Sequence, residues 1–76
     1  MNEIKTIAAA ARNSLDLNRL YGCTPAEING YLVRSVNTAF RELYSPLERK
    51  EVYRRTDTGT FTGLYRQVFI ALIKGE

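Results

Sequence analysis

The side chains best suited to chemistry are crowded between residues 49 and 66. That stretch holds Arg49, Lys50, Arg54, Arg55 and Arg66, with Tyr53 and Tyr65 among them and four threonines in between. Cations interleaved with phenols suit docking on an anionic surface, either carboxylates of a protein or phosphates of a nucleic acid. Bond-breaking chemistry is poorly served. The 76 residues include no histidine, which removes the commonest general base and the imidazole metal ligands. Cys23 is the lone cysteine, too few for a zinc site. No base stands beside it to make a thiolate, so it reads as a small hydrophobe in a turn. No glycine-rich loop ends in Lys-Ser or Lys-Thr, so a phosphate-cradling P-loop is absent.

Two carboxylate patterns invite a catalytic reading and neither sustains it. Glu48 and Glu51 lie one helical turn apart, but the surrounding Arg and Lys keep both ionised, whereas an acid catalyst needs a raised pKa. Asp57-Thr58-Gly59 spells the short active-site signature of aspartic proteases. That chemistry requires an all-β fold, a second aspartate and an apolar strand where Arg54-Arg55-Thr56 stand, so a turn is the simpler reading. The sequence therefore predicts no enzyme, no catalytic residue, no metal and no cofactor.

The elements that must carry the basic stretch are helices. Thr24-Pro25-Ala26-Glu27 is a capping box, with a hydroxyl at N-cap, Pro at the first helical position and Glu three residues on. Ile28, Leu32, Val36, Ala39, Phe40 and Leu43 follow three and four apart, one stripe of a helix over residues 25–44. Arg34, Asn37 and Arg41 fall mainly on the other side. Ser45-Pro46-Leu47-Glu48 repeats the capping logic and starts a short polar helix, 46–55, anchored by Leu47, Val52 and Tyr53. Before both, an alanine-rich helix is predicted over 2–20. Asn2 would be its N-cap, Ile4, Ile7, Ala8, Ala11 and Leu15 its apolar face, and Gly22 its left-handed stop. A very short connection to the next helix implies an antiparallel pair. Gly30 interrupts the second helix, and close packing against another backbone would account for it. Asp57 and Gly59 form a loop over 56–60. Phe61, Leu64, Tyr65, Val68 and Leu72 then have helical spacing over 61–74, although a strand paired across residues 52–66 is an alternative.

Together these elements predict one all-α domain over residues 1–76, a small bundle or orthogonal array of three to four helices. An apolar fraction of 45% with 25% charged residues fits a folded chain and argues against disorder. The net charge of +3 permits a nucleic-acid partner without demanding one. The longest apolar run, residues 68–73, falls far short of the about 20 that span a bilayer. Residues 1–11 make a poor signal peptide, and one cysteine suits a reducing compartment, so a soluble cytoplasmic protein is expected.

That apolar run is greasy nearly all round, so either other helices wrap it or part of it is exposed. Exposure would make Phe69, Ile70 and Ile73 an interface, for a homodimer or for another protein. The expected function is a small non-enzymatic interaction protein, binding a larger partner stoichiometrically as a regulator or inhibitor. Arg49, Lys50, Tyr53, Arg54, Arg55 and Arg66 would meet an acidic surface or a nucleic-acid-handling complex. One alternative is a DNA-binding helix-turn-helix, with Thr60, Thr62, Arg66 and Gln67 toward the major groove and Arg54 and Arg55 on phosphates. Another is a structural subunit of a larger complex.

Overall fold

The computed structural model describes residues 3–75. It is all-α: α1 (Glu3–Ser14), α2 (Pro25–Leu43), α3 (Pro46–Arg55) and α4 (Phe61–Lys74), with a 3-10 turn at Leu17–Leu20. Residues 61–74 are helical, which settles the helix-or-strand alternative. Both predicted capping boxes are formed in both directions, at Thr24 with Glu27 and at Ser45 with Glu48. Thr60 caps α4 by accepting the Gly63 N–H at 3.3 Å, and Gly75 ends it with φ 73°.

The most extensive packing is that of α1 against α2 and α4. The alanines of α1 explain it. Ile7, Ala8 and Ala11 are fully buried, and small side chains let a neighbouring backbone approach. The core adds Val36, Ala39 and Phe40 of α2, Val52 of α3, and Leu64, Val68 and Ala71 of α4. Phe40 is its hub. Its ring lies 5.7 Å from Tyr44, 5.5 Å from Tyr53 and 6.4 Å from Phe61. The ladder continues along α4 through Tyr65 to Phe69, and the Tyr65 hydroxyl donates to Asn29 Oδ1 on α2 at 3.2 Å.

Five expectations need correction. The first helix does not run over 2–20. It ends at Ser14, because short polar side chains offer the backbone other partners. The Ser14 hydroxyl donates to the Ala11 carbonyl, and Asp16 accepts the Asn18 N–H to start the 3-10 turn. Asn2, the expected N-cap, lies outside the described residues. The link to α2 is consequently residues 15–24 rather than a very short turn, and Gly22 (φ 77°) closes the 3-10 segment instead of a long helix. Gly30 is not packed on anything, since an added Cβ would meet nothing within 4 Å. Leu47 does not anchor α3; it is 77% exposed.

The loop over 56–60 is a Schellman motif. The Thr58 N–H bonds to the Tyr53 carbonyl and the Asp57 N–H to that of Arg54. Asp57 occupies the left-handed position (φ 55°), usually taken by glycine. The aspartate of the protease-like tripeptide is thus a helix terminator. Gly63 is the glycine that close approach does require: a Cβ there would sit 2.8 Å from the Thr58 carbonyl oxygen.

Candidate functional site

The six residues of the predicted basic face sit on α3 and α4, but the fold uses half of them internally. Arg49 is half-buried. Its Nε donates to the Tyr44 carbonyl at 3.0 Å and its Nη2 to that of Arg41 at 3.3 Å. It thereby satisfies orphan carbonyls at the end of α2. Tyr53 packs its ring on Phe40. Arg55 pairs with Glu3 across the start of α1, at 2.6 Å. Hydrogen bonding to that carboxylate holds the guanidinium even more firmly protonated than usual.

What remains for a partner is Lys50, Arg54 and Arg66, all exposed. Arg54 is only loosely held by Glu51, at 3.6 Å with both side chains in solvent, a type of pair that contributes little. Glu48 is committed to the α3 cap. The Ser45 hydroxyl and backbone N–H hydrogen bonds hold its carboxyl below the usual range, the opposite of what an acid catalyst needs.

Burial raises the pKa of Tyr44, helped by the nearby Glu3 charge, and burial alone raises that of Tyr65. Both phenols are therefore neutral aromatic contacts. Among the described residues, no three of His, Cys, Asp and Glu come together as metal ligands. No helix of the described residues is long and apolar enough to cross a membrane.

On α4, Thr62, Arg66 and Gln67 are exposed together, following α3 by a five-residue turn. Thr60, the fourth residue of the nucleic-acid alternative, spends its hydroxyl oxygen on capping. One turn further on, Ile70 and Ile73 are exposed, 47% and 68%, while Phe69 is half-buried against Tyr65. Arg66, Ile70 and Ile73 are spaced four and three residues apart, which places them in one row along the helix.

Phe69, Leu72 and Ile73 also form one wall of an apolar groove of about 350 Å³. Its other wall comes from Leu15, Leu20 and Leu32, with Arg12 at the margin. Leu15 and Leu20 reach the groove because α1 breaks before them. The drift of the apolar pattern after Leu15 was the only sequence signal for it. Sequence reasoning also gave no role to Arg19, and placed Arg34 simply on a polar face. Comparison with family models, with curated proteins and with solved structures found no match to this chain.

Proposed function

We propose that the protein is a small non-enzymatic regulator or inhibitor that acts in the cytoplasm by covering a surface of a larger macromolecular partner. The observation that carries this reading is the row Arg66, Ile70 and Ile73. An apolar strip on a helical domain, led by the exposed Arg66 and continued by a groove, is the composition of a contact surface. Lys50, Arg54 and Arg66 favour an acidic protein surface, or a complex that handles nucleic acid, as the partner. The same strip could pair two copies of this chain.

The test is affinity capture from the native host with the tagged protein, run beside an Ile70→Asp/Ile73→Asp variant. One partner retained in stoichiometric amount by the first and lost by the second supports the reading. Retention by both, with both folded, overturns it. Sedimentation at micromolar concentration separates a homodimer from a monomer.

A second reading, a DNA-binding helix-turn-helix, is favoured by the joint exposure of Thr62, Arg66 and Gln67 on the helix after a short turn. It predicts a duplex mobility shift at low salt that weakens steeply as salt rises. A structural-subunit role predicts instead that the isolated chain lacks a cooperative melt.

A further inference from the structure

Two clefts lie away from the α3–α4 surface and share three residues: Arg19, Tyr31 and Arg34. The smaller, about 380 Å³, is lined by those three with Ser14, Ser35 and Thr38. Every one of these side chains carries a hydrogen-bond donor, and no carboxylate stands among them. Neither guanidinium has a hydrogen-bonded or ionic partner among the described residues. The Tyr31 oxygen accepts the Asp16 N–H at 3.1 Å, which leaves its own proton to donate. Ser35 lines this cleft too, and its hydroxyl, which has no partner among the described residues, is not sealed off but opens to the cleft. Two arginines without partners, beside hydroxyls free to donate, mark a place where acceptor oxygens are expected.

The larger cleft, about 590 Å³, continues from the same three residues over Leu20, Cys23, Ala26 and Gly30. Both volumes fall in the range of small-molecule sites. The single carboxylate here, Glu27, is turned to the Thr24 N–H, which lowers its pKa and occupies it. Gly30 now has a reason. It sits inside a helix, where glycine is unfavourable, and no packing demands it. Its missing side chain keeps the cleft open.

We propose that this paired cleft binds a small phosphomonoester with a flat, largely apolar body, of the nucleoside monophosphate class. The phosphate lies between Arg19 and Arg34, with the Tyr31 and Ser35 hydroxyls as further donors. The body lies over Gly30 beside Tyr31 and Leu20. Arginine suits this role because its planar fork meets phosphate oxygens two at a time. The site shares only Leu20 with the groove beside the docking row proposed above, and none of the residues varied in either test, so either can fail without the other.

The experiment is titration of the full chain, followed by amide chemical shifts, with AMP, inorganic phosphate, adenosine and citrate in parallel. AMP is expected to bind at least tenfold more tightly than each of the other three, with shifts centred on Gly30, Tyr31 and Arg34. Arg19→Ala or Arg34→Ala should weaken AMP at least fivefold, and the double variant should abolish saturation. Gly30→Leu retains a good helix former and should remove the advantage of AMP over phosphate, leaving phosphate itself unchanged. Citrate or phosphate binding as tightly as AMP overturns the proposal, as does AMP binding that survives the double variant. So does loss of duplex binding in the double variant with no AMP binding in the parent, which would assign the arginines to a nucleic-acid backbone.

Discussion

Gly30 and Gly63 are both helical glycines, and alanine at each should move stability in opposite directions. In a helix interior, alanine is favoured over glycine by about 1 kcal/mol. At Gly30 nothing opposes that gain, because the new Cβ meets no atom within 4 Å. For a domain of this size, about 1 kcal/mol raises the melting temperature by about 4–8 °C. At Gly63 the new Cβ lies 2.8 Å from the Thr58 carbonyl oxygen and 3.4 Å from the Thr58 Cβ. A flexible side chain could swing away, but this carbonyl cannot withdraw cheaply. It accepts the Thr60 N–H at 2.8 Å, and the N–H of its own residue closes the Schellman turn on Tyr53. Overpacking against a held neighbour costs about 1–3 kcal/mol. Gly63 is also in the first turn of α4, where the propensity gain is smaller. The net result is a loss of about 1–2 kcal/mol, a large part of the ~3–5 kcal/mol a core this small supplies. Thermal and urea melts of the two single variants read the difference directly. A Gly63→Ala protein that melts at or above the parent refutes the close approach of the turn to α4, and with it the packing of that turn.

Other consequences follow from the core, the turn and the caps. Phe40→Ala removes the ring on which three others converge. A loss of about 3–5 kcal/mol matches the whole expected stability, so the far-ultraviolet melt should lose cooperativity at ambient temperature. Asp57→Gly relieves a left-handed residue with a Cβ and should stabilise by about 0.5–1 kcal/mol, measured by the same melts. Glu27 and Glu48 have pKa values lowered by their cap hydrogen bonds. Their contribution is complete above the unfolded carboxylate value of about 4.3. It is lost as pH falls through their lower folded values, and a Glu27→Gln/Glu48→Gln variant should show a flatter acid limb. Tyr44 and Tyr65 are raised. Stability is therefore full below the unfolded phenol value of about 10 and falls as pH rises toward their folded values.

The helices were legible where local chemistry decides. Proline and a hydroxyl at the start, with glutamate three residues later, act over a single turn, and both such signals correspond to observed caps. The stripe through Val36, Ala39 and Phe40 was legible because a period of 3.6 is a property of one element. The end of α1 was misread because alanine propensity argued for continuation. The competing side-chain bonds of Ser14 and Asp16 are individually weak, and only their combination stops the helix. The two glycines were misjudged or passed over for a related reason. Whether a missing Cβ faces a carbonyl, as at Gly63, or an open cleft, as at Gly30, depends on how the preceding turn folds back on the helix, which helical spacing does not record. The basic face between residues 49 and 66 was legible as composition but not as availability. Arg49 and Arg55 are drawn into holding α2 and α1, and that recruitment is a tertiary event. Arg19 and Arg34 are fifteen residues apart across a helix break, so nothing local joins them.

The most direct test of the docking account is calorimetric titration of the captured partner with the parent protein and with Ile70→Asp/Ile73→Asp. Both side chains are exposed, so the two proteins should melt alike. Saturation at one protein per partner site, with affinity reduced at least a hundredfold in the variant, is the predicted result. Equal affinity for the two, at equal melting temperature, would contradict it.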